Sequence, residues 1–162
     1  MPDEERTPAL TGGCQCGAVR YALYSVPTEP GICHCRMCQK AVGNYFAAFS
    51  GVKCDELTWT RGAPAIFKSS DLVERGFCRD CGTPLTFEYL GSEKIDLTVG
   101  SLDEPERLRP VAHYGFEGCV SAFFTEDGLP RSRTEDSEWL VARWKAAHGD
   151  DSAPGPLYGP HT

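Results

Sequence analysis

Cys33-His34-Cys35-Arg36-Met37-Cys38 packs three cysteines into six residues, and it stands between two shorter hooks, Cys14-Gln15-Cys16 upstream and Cys78-Arg79-Asp80-Cys81 downstream. Short C-x-C and C-x-x-C hooks let neighbouring thiolates converge on one ion at small chain-closure cost, and zinc takes four such ligands tetrahedrally when its role is structural. Two hooks make one closed site, so Cys14, Cys16, Cys78 and Cys81 can be grouped as a four-thiolate clamp. Cys33, Cys35 and Cys38 are then left as a three-thiolate cluster, and three protein ligands with a vacant fourth position is the pattern of a reactive zinc. The expectation is two zinc ions per chain, one structural and one open.

Two other readings stand beside this one. A disulfide framework would suit so many cysteines, but there are nine in 162 residues, an odd number in a chain of ordinary domain size. The opening MPDEERTPAL also lacks the basic start and apolar run of a secretory signal, so reduced thiols and a cytoplasmic location are expected. In the second reading both ions are structural, with Cys54, Cys119, His34 or His113 completing the second site.

A net charge of −7 and 41% hydrophobic residues fit one domain with its own core. The only loose basic groupings, Arg107 with Arg109 and Arg131 with Arg133, have acidic neighbours, so a nucleic-acid partner is not expected. No apolar stretch has the length of a membrane span.

Periodicity is mostly that of short strands, expected at residues 18–24, 45–49, 56–60, 65–68, 74–78, 85–89 and 95–99, each bounded by Gly, Pro or Asp signals. The Gly12-Gly13 pair reads as a turn. Residues 36–42 read as one or two helical turns ending before Gly43, with N-terminal N–H groups toward the cysteines. Residues 137–147 read as a helix whose Leu140, Val141, Trp144 and Ala147 share one stripe, packed on a mainly β domain. The expected divisions are an N-terminal tail at 1–9, a zinc-binding domain at 10–149 and a flexible Pro- and Gly-rich tail at 150–162.

Of the remaining candidates, His34 lies between two cysteines and either takes part in proton transfer or points away from the ion. His113 reads as a core histidine bonded to backbone. Arg36 is either a carboxylate-binding fork or a surface arginine. Asn44, Tyr45 and Phe46 either line the pocket or, through the alternation Tyr45, Ala47, Phe49, mark one face of a strand.

Three ordered motifs, Gly12-Gly13-Cys14-Gln15-Cys16-Gly17-Ala18-Val19-Arg20-Tyr21, then Cys33-His34-Cys35-Arg36-Met37-Cys38, then Phe77-Cys78-Arg79-Asp80-Cys81-Gly82-Thr83-Pro84-Leu85, resemble the glutathione-dependent formaldehyde-activating enzyme family, which includes the centromere protein V-like proteins. Gly100-Ser101-Leu102-Asp103 and His113 extend the resemblance over roughly residues 10–130. It implies a β-tent fold of stacked antiparallel sheets with zinc knuckles, here followed by a short C-terminal helix. It also implies Cys14, Cys16, Cys78 and Cys81 as structural zinc ligands and Cys33, Cys35 and Cys38 as the second, catalytic zinc site. The implied activity is that of a carbon–sulfur lyase of the S-(hydroxymethyl)glutathione synthase kind, joining glutathione or a similar small thiol to formaldehyde or another small aldehyde. The alternative is a non-catalytic, zinc-stabilised thiol-binding or protein-interaction module. Cys119 and the chain beyond Arg133 have no counterpart in these motifs.

Overall fold

A computed structural model of the chain describes residues 6–124 and 126–151, so most of the two expected tails, at 1–5 and 152–162, lies outside the described residues. In chain order the elements are β1 (Leu10–Gly13), β2 (Arg20–Leu23), β3 (Gly31–Cys33), α1 (Arg36–Val42), β4 (Ala47–Lys53), β5 (Leu57–Arg61), β6 (Ala65–Lys68), β7 (Val73–Phe77), β8 (Pro84–Tyr89), β9 (Lys94–Thr98), β10 (Ala112–Tyr114) and α2 (Glu138–His148). They form a three-stranded sheet in the order β1-β2-β5 and a seven-stranded sheet in the order β10-β3-β4-β9-β8-β7-β6. The fold is mainly β, as expected. Among the described residues every pairing between these strands is antiparallel except one: β10 runs parallel to β3 with His113 opposite Ile32.

The sheets meet across an apolar layer. Leu10, Tyr21 and Leu23 from the small sheet pack with Val52, Leu85, Ile95 and Leu97 from the large one, and Leu102 and Leu108 close the end. Leu23 and Leu85 are wholly buried, and their strand neighbours Ala22 and Thr86, which alternation turns to the opposite face, are buried as well. Tyr21 crosses this layer, its ring edge-on to Trp59 and its hydroxyl 2.8 Å from Ser101 Oγ.

The Gly12-Gly13 pair is not a turn but the end of β1. A Cβ on Gly12 would lie 2.4 Å from the Tyr21 ring and 2.5 Å from the Ser101 carbonyl oxygen, so glycine is required there by close approach rather than by chain reversal.

Helix α1 has the expected bounds because Gly43 caps it in the left-handed region, with φ 65°, and returns its N–H to Gln39 O. Helix α2 starts at the Ser137 cap, whose hydroxyl accepts from Leu140 N–H. Its inner side carries Leu140, Val141, Arg143 and Trp144, all half-buried, while Ala147 is exposed. The helix is tied to the large sheet by Arg143 Nη2 donating to Leu90 O at 2.6 Å and by Trp139 standing edge-on to Tyr89. Among the described residues no helix is long and apolar enough to cross a membrane.

Candidate functional site

All nine cysteines are free thiols, and seven of them gather into two groups. Cys14 follows β1, and Cys78 opens the loop from β7 to β8. The two loops turn alike, with Gly17 N–H bonded to Cys14 O and Gly82 N–H to Cys78 O. Each hook thereby brings a second thiol, Cys16 or Cys81, back beside the first. The four Sγ atoms lie within 4.8 Å of one another.

Two of the separations are Cys14 to Cys16 at 3.6 Å and Cys16 to Cys78 at 3.8 Å. Sulfurs about 2.3 Å from a shared tetrahedral centre sit about 3.8 Å apart, whereas a disulfide requires about 2.05 Å. The donor set therefore fits a zinc ion. Charge in the bare group is shared unevenly: the Thr83 hydroxyl and N–H pull the Cys81 thiol down to about 6 and Val19 N–H reaches Cys14 Sγ at 3.2 Å, whereas, in spite of the Ala18 N–H, Cys14 and Cys81 push the Cys16 thiol up to about 12. An ion held here would join the small sheet to the large one.

The second group is Cys33, Cys35 and Cys38, again within 4.8 Å. Cys33 ends β3, Cys35 is the N-cap of α1 with its sulfur accepting from Cys38 N–H at 3.4 Å, and Cys38 is buried in the first turn. Among the described residues no fourth ligand atom joins the three. Cys33 and Cys35 as neighbours hold the Cys38 thiol well below its ordinary range, helped by Arg75, while Cys35 and Cys38 push the Cys33 thiol well up. The negative charge of the bare cluster thus settles on Cys38, which is the electrostatic invitation to a cation.

These three thiols lie at the floor of a pocket walled by Val73, Phe87 and Tyr89 from the large sheet and by Leu140 and Trp144 from α2. Arg75 is the feature that sequence reasoning missed. It is 8% exposed, places Nη2 3.4 Å from Cys38 Sγ and Nε 3.0 Å from Ser69 Oγ, and stacks over Phe87.

The loop carrying the three cysteines is braced from behind. Gln39 Nε2 donates to both His34 O and Gly118 O at 2.8 Å. His34 turns its ring away from the sulfurs, toward His113: Nε2 of His34 is 2.8 Å from Nδ1 of His113, whose Nε2 is 2.9 Å from Asp127 Oδ2. The chain of tautomers follows from its end. A carboxylate only accepts, so His113 donates from Nε2, and its Nδ1 accepts from His34. Leu129 N–H and His113 keep the Asp127 carboxyl below its usual range, and burial keeps His34 below its ordinary value. His113 is therefore a core histidine, but its ring bonds side chains and not the backbone expected from sequence. Replacing His113 by alanine is expected to cost about 1–3 kcal/mol of stability, because a buried His34 nitrogen loses its partner; urea unfolding of the metal-loaded protein measures it. Replacing Asp127, which is 36% exposed on its side chain, should cost less.

The other candidates fall outside both groups. Arg36 donates to Gln39 Oε1 and does not line the pocket above the cysteines, so it is not placed to receive a carboxylate there. Tyr45 and Phe46 precede β4 and line a separate cavity with His34, His113 and Cys119. Cys54 is exposed, and neither it nor Cys119 approaches the two groups as a ligand among the described residues.

The family model described as glutathione-dependent formaldehyde-activating enzyme matches residues 9–117. An uncharacterized lyase of Schizosaccharomyces pombe is 33% identical over 84 residues, an alignment covering 51% of this chain and 59% of the relative. The chain therefore matches little more than half of that relative's length. A crystal structure of a Rhodobacter sphaeroides protein superposes with a TM-score of 0.50 at 20% identity, covering 76% of this chain and all of the other; it shares the fold.

Proposed function

Because the chain belongs to the glutathione-dependent formaldehyde-activating enzyme family, we propose that it is a zinc-dependent carbon–sulfur lyase-type enzyme, joining a small thiol such as glutathione to formaldehyde or another small aldehyde. The observation that carries this reading is the contrast between the two cysteine groups. Four thiols close on one another between the sheets, whereas three stand at the floor of a pocket without a fourth protein ligand among the described residues. We assign zinc to both groups, structural at Cys14, Cys16, Cys78 and Cys81 and catalytic at Cys33, Cys35 and Cys38. The functional domain on this reading runs through residue 149, since α2 walls the pocket.

Zinc held by the three thiolates would supply the positive charge that favours the thiolate form of an incoming thiol at neutral pH. The chain's own groups do the rest. Arg75 neutralises the excess negative charge at Cys38, and Phe87, Tyr89 and Trp144 keep water from the sulfur. The thiolate sulfur then adds to the aldehyde carbon: a carbon–sulfur bond forms, the carbonyl pair moves to oxygen, and that oxygen takes up one proton to give the hemithioacetal. His34 and His113 face the other way, so the proton is assigned to solvent at the pocket mouth.

The test is calorimetry of the zinc-loaded protein with glutathione and S-methylglutathione, which keeps the peptide but cannot form a thiolate. Glutathione is expected to bind at least tenfold more tightly, with affinity rising as pH approaches the thiol pKa. In the cobalt-substituted protein a sulfur charge-transfer band should grow with added thiol. No response to any small thiol, in either measurement, would leave the non-catalytic module as the better account.

A further inference from the structure

The pocket above Cys33, Cys35 and Cys38 has a volume of ≈ 200 Å³, and among the described residues no Asp, Glu, Lys or His lines it. Its two arginines are already engaged. Arg75 is held by Cys38 and Ser69, and Arg133 binds Glu135 Oε1 at 2.7 Å with more than half of its side chain in solvent. Glutathione carries two carboxylates and an ammonium, and a charge taken from water into a site without a partner is strongly disfavoured. Here the ammonium meets no carboxylate. The walls that remain are mostly apolar, with Met37, Leu72, Phe87, Tyr89, Leu140 and Trp144 among them, and their polar groups are neutral hydroxyls such as those of Ser70, Ser132, Thr134 and Ser137. Leu140 and Trp144 belong to α2, beyond residue 117 where the family match ends.

We infer that the thiol selected by this chain carries a compact, uncharged apolar group of phenyl size in place of the glutathione peptide, and that Leu140 and Trp144 are the residues that select it. The inference rests on the proposed thiol chemistry at Cys33, Cys35 and Cys38 and concerns which thiol is used. Two β-strand side chains, Phe87 and Tyr89, meet edge to face at 4.9 Å, and Trp144 of the helix lines the same pocket, so an aromatic ring entering it is met by aromatic surface from both the sheet and the helix. An apolar substituent leaves no buried charge unpaired and gains in affinity with each methylene removed from water.

The experiment titrates the zinc-loaded full chain by calorimetry with phenylmethanethiol, 2-mercaptoethanol and glutathione, and repeats the series with Trp144→Ala and Leu140→Ala. Phenylmethanethiol is expected to bind at least tenfold more tightly than either other thiol, and the ratio should fall toward one in Trp144→Ala. Circular dichroism and zinc per chain report whether each variant keeps its helix and its ions; if Trp144→Ala does not, Leu140→Ala decides by the same ratio. Glutathione binding as tightly as phenylmethanethiol overturns the inference and leaves the proposed function intact. A preference unchanged in both variants overturns the assignment to α2. Failure of all three thiols to bind removes the proposed function itself, and the inference with it.

Discussion

Replacing Cys78 by serine is expected to leave a chain that is insoluble or metal-poor, whereas replacing Cys35 by serine should leave a folded chain with about one zinc fewer. The asymmetry comes from what each group holds together. Cys14 and Cys78 extend from different sheets, and an ion shared by their hooks closes a loop of more than sixty residues across the core. Binding of a structural zinc contributes about 10–16 kcal/mol in small zinc domains, which matches or exceeds the roughly 5–15 kcal/mol net stability of a whole domain. Cys35, in contrast, sits in a loop that the protein secures by itself. Strand β3 is paired on both sides, Gln39 spans to Gly118, and His34 leans on His113. Elemental analysis, soluble yield and far-ultraviolet circular dichroism on the two variants give the result. Equal loss of fold in both would overturn the division into a structural and an open site.

Replacing Arg75 by methionine is expected to weaken the second ion by about 10–100-fold while the first is retained, the range seen when groups supporting metal ligands are removed. Three thiolates and a divalent cation carry a net charge of −1, and the Arg75 guanidinium brings the buried assembly to zero. Methionine keeps the stem that packs on Phe87 and removes only the charge and donors. Lysine in its place should fall between the two, because a point charge cannot reach Cys38 and Ser69 together. Chelator competition, read as two successive metal-release steps, separates the ions. A second step unshifted in Arg75→Met would mean that the Cys38 contact has no part in holding the metal.

The grouping of seven thiols into two sets was legible in the cysteine spacing. The hooks at 14–16 and 78–81 imply one group and the run at 33–38 another because ligand spacing is a local property, fixed by how a short turn points its side chains. Helix α1 was equally legible, since Gly43 marks its end, and the expected strands at 56–60, 65–68, 74–78, 85–89 and 95–99 each overlap an observed one. Strand β4 starts at Ala47 rather than Tyr45, which is exposed and stacks on Phe123. Strands β3 and β10 went unread because three residues are too few to show alternation, and β1 because it contains the glycines of a turn signal. Arg75 was hidden for another reason: in Val73-Glu74-Arg75-Gly76-Phe77 nothing distinguishes an arginine facing a sulfur from one facing water. The partnership of His34 with His113 crosses seventy-nine residues and exists only because β10 lies alongside β3. Helix α2 does lie against the large sheet, through Arg143 and Trp139, but none of its residues is buried in the core and Ala147 is exposed; the sequence did not say that it lands beside the second cysteine group.

The two groups of cysteines interleave along the chain, and synthesis proceeds from one end. Cys14, Cys16, Cys33, Cys35, Cys38 and Cys54 have all emerged before Cys78 and Cys81 exist, so the first ion a nascent chain meets is offered six sulfurs that do not all belong together. Thiolates within some twenty residues of one another close a ring at little entropic cost, and sulfur chemistry alone does not distinguish Cys16 from Cys33 as a neighbour for Cys14. What distinguishes them is the layer of Leu10, Leu23, Leu85 and Leu97: only when β8 and β9 arrive and draw the small sheet onto them does Cys14 come to rest beside Cys78. The apolar residues, which never touch an ion, decide which sulfurs share one.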